Sequence, residues 1–231
     1  MTWLSEEENK KFLGDGSRNA QGQTLEEFLE AYDPTKYKCP CDTVDMMVFR
    51  SDGPFTGDVN TLRLLLVRRR NHPCIGCWAT PGGFVEIGEG LDAAALRELQ
   101  EETSVTGIPM IQLHTYGDVN RDPRWRIITT SYLALIEQDI PVKAADDAAD
   151  ACWFSVHFEE AKDGRCTLDL TNRTRGIHLR SVLQHEVIRH SILTDDRFRL
   201  IDGGGLSADH PVLIADALEY LSRAGRQHSK D

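Results

Sequence analysis

The feature that most restricts how this chain can fold lies between residues 78 and 105. A Gly/Pro-punctuated stretch, Trp78-Ala-Thr-Pro81-Gly82-Gly83, leads towards residues 91–103, which are rich in Ala, Leu, Glu and Arg and form the strongest helical segment of the sequence. On a helix, Glu98, Glu101 and Glu102 stand at i, i+3 and i+4, so three carboxylates project from one face. Ala94, Ala95, Leu96 and Leu99 supply the apolar side that packs on a sheet. The helix must therefore cover a sheet with one side and hold a cluster of like charges on the other. Carboxylates this close repel one another unless a cation neutralises them, and hard oxygen donors suit Mg2+ or Mn2+.

Strands surround this helix. Residues 43–49 and 62–67 are β-rich runs separated by Ser51-Asp52-Gly53-Pro54 and Gly57-Asp58, which predicts a hairpin with a long loop. Residues 111–116 and 127–136 read as strands flanking a polar, Arg-rich loop at 117–126. Near the start, Thr24 caps a short amphipathic helix over 25–32, Glu27 completes a capping box, and Asp33-Pro34 ends it. In the last third, residues 167–170 alternate like a strand, and 198–201 read as a strand before Gly203-Gly204-Gly205. Between them, Leu179, Val182, Leu183 and Val187 are spaced for a helix over 176–193, although the β-branched content leaves a strand open. Residues 211–223 predict an amphipathic helix with Pro211 in its first turn and Leu213, Ala217, Leu218 and Leu221 on one face. These elements divide the chain into an N-terminal helical extension (1–38), a central core (39–155) and a C-terminal extension packed on the core and ending in a helix (156–231).

With 231 residues, 40% of them hydrophobic and 27% charged, one core with appendages is expected rather than wholesale disorder. No apolar run approaches the ~20 residues that span a bilayer, so no membrane partner is expected. The first residues, MTWLSEEENKKFLG, lack the basic and apolar regions of a signal peptide, which points to a cytoplasmic protein. A net charge of −11 disfavours a nucleic-acid partner but is compatible with phosphate bound through a cation. The cysteines at 39, 41, 74, 77, 152 and 166 are expected to be reduced thiols. Cys74-x2-Cys77 has zinc-like spacing and Cys39-x-Cys41 is tighter than usual, so loop thiols are the expectation and a structural zinc is not.

An E-x-x-E-E string is most often a solvated acidic face. Its surroundings change that meaning here: a Gly-Gly loop lets backbone approach a metal or phosphate, Glu89 stands eight residues before Arg97, and Arg97 adjoins the first carboxylate. Gly83, Glu89, Arg97, Glu98, Leu99, Glu101, Glu102 and Val105 together resemble the Nudix box, G-x5-E-x7-R-E-U-x-E-E-x-G-U, where U is aliphatic. One position departs: Ser104 stands where the box has the glycine that ends the helix, and no metal ligand is lost. Residues 30–155 are similar to the ADP-ribose pyrophosphatase-like branch at Tyr32-Asp-Pro34, at residues 78–85, at Gly117-Asp118 with Arg121-Asp122-Pro123-Arg124, and at Asp146-Asp147 with Trp153-Phe154. Ala208-Asp209-His210 also looks like this branch.

The resemblance implies an α/β fold, an α/β/α sandwich around a mixed sheet with a loop–helix–loop catalytic motif. It implies a hydrolase that cleaves the pyrophosphate bond of a nucleoside diphosphate linked to another moiety, with ADP-ribose or a related ADP-sugar as the best match. Carried over by position, Glu98, Glu101, Glu102 and the Gly82 carbonyl would ligate Mg2+, or Mn2+. Arg97 would orient the carboxylates by pairing with Glu89 or a box glutamate. Glu98 and Asp147 are the candidate general bases, with Glu137 behind them. Arg121, Arg124 and Arg126 suit phosphate, but they suit equally well a loop rigidified by Asp118 and Asp122. Trp125, Trp78 and Phe84 are candidate surfaces for stacking a base.

Two rival functions remain open on the sequence. One is a non-catalytic ADP-ribose-type ligand sensor. The intact glutamates argue against it, as do the 12 basic and 15 acidic side chains of residues 141–231, too acidic for a DNA-reading module. The other is hydrolysis of a nucleoside triphosphate or a dinucleoside polyphosphate. A homodimer is expected, because the helices at 25–32 and 211–223 both have apolar stripes to bury and the chain's own core satisfies one.

Overall fold

A computed structural model describes residues 4–137, 139–143 and 148–228. Asp146 and Asp147 lie outside them. The chain forms two compact units, residues 1–39 and 40–231. The first holds helices α1 (Glu6–Asn9) and α2 (Leu25–Ala31). The capping box at the start of α2 forms as expected: the Thr24 hydroxyl accepts from Glu27 N–H at 3.2 Å, and the Glu27 carboxylate accepts from Thr24 N–H at 2.8 Å. No α2 residue is buried, and Phe28 and Tyr32 are both exposed.

The second unit is built on one mixed sheet of ten strands: β1 (Cys41–Arg50), β2 (Arg63–Arg69), β3 (Trp78–Ala79), β4 (Gly82–Phe84), β5 (Ile111–Tyr116), β6 (Ile127–Ile136), β7 (Ala148–Glu160), β8 (Arg165–Asn172), β9 (Ile177–His190) and β10 (Leu193–Asp202). Their order is β10-β9-β8-β7-β2-β1-β6-β5, with β3 added to β2 and β4 to β1. The β1/β6 pair is parallel and the other pairs are antiparallel.

Two helices cover the sheet. α3 (Leu91–Thr103) and α4 (His210–His228) pack on opposite faces, as the alternation along β1 demonstrates. Val44, Met46 and Val48 join Ala94, Ala95 and Leu99 of α3, whereas Met47 and Phe49 join Leu213, Ala217, Leu218 and Leu221 of α4. A strand buried on both faces reads as one apolar run, which β1 does. Leu96, expected on the buried side of α3, is 45% exposed, because the contact with the sheet narrows to the two alanines and Leu99.

The segment expected as a helix over 176–193 is instead β9. Leu179, Ser181 and Leu183 are buried at a step of two, β8 and β10 pair with it on both sides, and Val187 is 48% exposed. Four antiparallel strands, β7 to β10, thus extend the sheet, and α4 buries its stripe on this unit's own core. Among the described residues no helix is long and apolar enough to cross a membrane.

Candidate functional site

The three glutamates are delivered by α3 and met by the short strand β4. Gly82 pairs with Asp45 of β1, and Gly82 N–H donates to Glu102 Oε2 at 2.9 Å. Both glycines are required by space. A Cβ on Gly83 would lie 2.4 Å from the Glu98 carboxyl group, and one on Gly82 would lie 2.2 Å from the Val44 carbonyl oxygen. The helix stops at Ser104, which adopts the left-handed conformation at φ 61°, ψ 12° and donates its N–H to Gln100 O at 2.8 Å. The turn that glycine usually makes is therefore made by serine.

Arg97 organises the carboxylates. Its guanidinium donates to Glu89 Oε1 at 2.5 Å and Oε2 at 3.1 Å, to Glu98 Oε1 at 2.8 Å, to Glu101 Oε2 at 3.0 Å and to the Phe84 carbonyl at 3.0 Å. These hydrogen bonds, Glu89 foremost, raise the Arg97 pKa further, and the Arg97 bond holds the Glu89 carboxyl below its usual range. Glu98 and Glu102 go the other way. Burial raises both, Glu102 to about 8, with Glu98 and Asp45 adding repulsion to Glu102.

Half-buried carboxylates pushed towards protonation by burial and by one another are what a hard divalent cation would relieve. The donor chemistry of Glu98, Glu101, Glu102 and the Gly82 backbone thus fits Mg2+ or Mn2+. Among the described residues no three acidic, His or Cys side chains form a ready-made cage, and Arg97 engages oxygens of Glu98 and Glu101.

These groups line a cleft of about 450 Å³ with opposed electrostatics. Asp45, Glu98, Glu101 and Glu102 stand in it together with Arg68, Arg69, Arg70, Arg121 and Arg124. Arg121 is braced rather than free: its side chain is 7% exposed and grips Asp209 bidentately at 2.9 and 3.0 Å. Arg124 is forked onto Asp122 at 3.0 and 2.8 Å and lies over the Phe84 ring at 5.1 Å. Arg126 is not part of the lining and donates to the Asp118 carbonyl at 3.2 Å. Glu89 likewise acts from behind, through Arg97. Of the aromatic candidates, Phe84 lines the cleft, whereas Trp78 is buried edge-on against Phe154 and offers no stacking surface.

Sequence reasoning missed Arg68-Arg69-Arg70 and Asp45, and it gave no role to Thr80 and His210, placed only within stretches similar to the ADP-ribose pyrophosphatase-like branch. A run of three arginines leaving an apolar strand was the available sign of the first group; the other three are brought together only by the fold. Glu137, outside the lining, is exposed. Cys74 lines the cleft, Cys152 and Cys166 are buried, and all six cysteines are free thiols.

Comparison with known proteins follows the same outline. A NUDIX domain model matches residues 41–165. ADP-ribose pyrophosphatase from Methanocaldococcus jannaschii is 41% identical over 98 residues, which cover 41% of this chain and 56% of that protein. ADPR responsive transcriptional repressor NtrR from Acinetobacter baylyi is 38% identical over 111 residues, covering 47% of this chain and 42% of that protein. The NUDIX domain of Shewanella oneidensis NrtR, solved with ADP ribose, superposes with a TM-score of 0.58 at 26% identity, covering 86% of this chain and 99% of that one. The chain spans about half the length of the curated relatives it matches.

Proposed function

The chain belongs to the NUDIX domain family, and from that premise we propose that it is a divalent-cation-dependent pyrophosphohydrolase acting on a nucleoside diphosphate linked to another moiety, with ADP-ribose or a related ADP-sugar as substrate. The observation that carries this reading is the pair of half-buried carboxylates, Glu98 and Glu102, gathered beside Gly82 in a cleft that arginines also line. The names of the relatives support the choice of ADP-ribose.

Glu98, Glu101, Glu102 and the Gly82 carbonyl would hold Mg2+, with Mn2+ as a substitute. When bound, the cation supplies charge neutralisation on the diphosphate and makes water more acidic. Water adds to one phosphorus, the bridging P–O bond breaks, and AMP leaves with the sugar phosphate. The proton goes to a carboxylate, and among the described residues Glu98 is the one candidate base that lines the cleft; burial favours its protonated form. Arg97 fixes the carboxylates, and Arg124 over Phe84 forms part of the cleft wall beside them. The catalytic role belongs to residues 39–155, with the C-terminal extension completing the walls.

A panel of ADP-ribose, other ADP-sugars, nucleoside triphosphates and dinucleoside polyphosphates with Mg2+ tests this. AMP release from ADP-ribose is expected. Preferential release of pyrophosphate from triphosphates would overturn the substrate and keep the chemistry. Ligand binding with no turnover of any member would favour the sensor reading that the repressor relative suggests.

The proposed assembly is a C2 homodimer whose interface includes residues 1–38. The exposed Phe28 and Tyr32 support it, while α4, already buried, lends it nothing. Light scattering is expected to give twice 26.0 kDa, and a mass near 26.0 kDa at every concentration would refute the dimer.

A further inference from the structure

Residues beyond 165, outside the segment the NUDIX model matches, close part of the cleft, and one of them brings an imidazole into it. His210 opens α4 and its side chain is 10% exposed. The corner that presents it is pinned at several points. Trp78 N–H donates to Gly205 O at 3.0 Å, Ser207 N–H to Trp78 O at 2.8 Å, and His210 N–H to Ser207 O at 3.0 Å. Ala208 is held in the left-handed region at φ 42°, and Asp209 is clamped by Arg121. Strained, over-determined backbone of this kind marks a side chain whose place matters.

The ring is oriented by Thr80, 130 residues away, whose N–H donates to Nδ1 at 3.2 Å and whose hydroxyl lies 2.8 Å from the same atom. A ring nitrogen that accepts a backbone N–H carries no proton, so the imidazole proton sits on Nε2. Nε2 stands 3.9 Å from Asp45 Oδ1, beyond direct hydrogen-bond range. Asp45 is buried: the Thr129 hydroxyl donates to its Oδ2 at 2.6 Å, and the Thr80 hydroxyl lies 3.5 Å from its Oδ1, whose other lone pair faces the cleft. The cleft thus carries a fixed donor and a fixed acceptor side by side, at a separation that one oxygen atom bridges. Among the groups of a nucleotide sugar, a hydroxyl is the one that accepts one hydrogen bond and donates another through a single oxygen atom. An anionic phosphate oxygen fits this spot poorly, because Asp45 would repel it and it has no proton to donate.

We propose that Asp45 and His210 form a hydroxyl-reading pair that selects the sugar of the substrate, with a sugar O–H donating to Asp45 Oδ1 and accepting from His210 Nε2–H. The proposal rests on the reading of the cleft as a nucleotide-sugar site. It assigns to the C-terminal extension a share in specificity.

A functional-group cycle tests it. The wild type, His210→Ala and His210→Gln are assayed on ADP-ribose and on analogues that each lack one ribose hydroxyl. One deoxy analogue is expected to lose roughly ten- to hundred-fold in kcat/KM with the wild type, the range for a hydrogen bond to a charged or strongly polar partner. That loss should shrink in His210→Ala, where Asp45 alone still accepts from the hydroxyl, and return in part in His210→Gln, whose amide restores a distal N–H. A structural role for His210 would lower every substrate alike, and an equal penalty across the analogues would overturn the proposal. Should the variants fail to fold, 15N spectra of the wild-type imidazole decide. A protonated Nε2 whose resonance moves with ADP-ribose and Ca2+, but not with inorganic pyrophosphate and Ca2+, supports the pair. A resonance indifferent to both ligands, or a proton on Nδ1, overturns it. If the substrate panel favours triphosphates, the ADP-sugar reading fails, and the same cycle on their 2′- and 3′-deoxy forms still decides the role of His210.

Discussion

α3 and α4 lie on opposite faces of one sheet, yet they are built for different ends. α4 anchors itself with Leu213, Ile214, Ala215, Ala217, Leu218 and Leu221, all buried. α3 holds on with Ala94, Ala95 and Leu99, and gathers Arg97 and three glutamates on its other side. One helix contributes stability by burying large side chains. The other gives up stability by desolvating like charges, which is tolerable only where the charges have a use. Mutation should separate the two.

The largest expected effect is on α3. Glu102→Gln should lower turnover by orders of magnitude while the fold persists, and the apparent melting temperature should not fall, because a carboxyl pushed to about 8 by burial stabilises nothing in its charged form. Assays at saturating Mg2+ beside thermal melts check both halves. Unchanged turnover would remove α3 from the chemistry.

On α4 the pattern should invert. Leu218→Ala, at a position with no exposed surface, should cost about 2–5 kcal/mol in denaturant titrations and leave kcat of the folded fraction near that of the wild type. If kcat falls in proportion to stability, the two faces are coupled and the contrast between the helices fails.

The same contrast explains what was legible in the sequence. The limits of α3, β5 and β6 follow from local pattern alone, because one run of residues carries each signal. β9 was open to two readings, since Leu179, Val182, Leu183 and Val187 fit a helical face as well as a strand, and only pairing with β8 and β10 decides. In the site, Arg97 and the glutamates were visible because they share one helix. That Asp45, Thr80 and His210 meet was not visible, because the partners lie far apart in the chain. Arg121 shows the same limit: phosphate and the local acids Asp118 and Asp122 were its two open readings, and its side-chain partner is Asp209, 88 residues on.

Two smaller effects sharpen the comparison. Ser104→Gly at the end of α3 should stabilise by about 1 kcal/mol, because glycine adopts φ 61° without the penalty a Cβ brings; a loss of stability would show that the serine side chain contributes more than its backbone costs. Asp216 of α4 is raised above its ordinary 3.8 by burial, against the hydrogen bond it accepts from the Tyr116 hydroxyl at 2.5 Å. A carboxyl raised in the folded state binds its proton more tightly there than in the unfolded chain. Its contribution is therefore full below about pH 4 and is lost as pH rises through the raised value. Asp216→Asn should flatten that part of the stability profile, and an unchanged pH dependence of melting would refute the assignment.

The central claim is that the acidic face of α3 exists to hold a divalent cation. Titration of the protein with Mn2+, followed by calorimetry or by loss of the free-ion paramagnetic resonance signal, tests it without reference to any substrate. The wild type should bind Mn2+ with an affinity that Mg2+ competes away, and Glu98→Gln combined with Glu102→Gln should abolish that binding while the protein remains folded. Equal Mn2+ affinity in the wild type and the double variant would contradict the account.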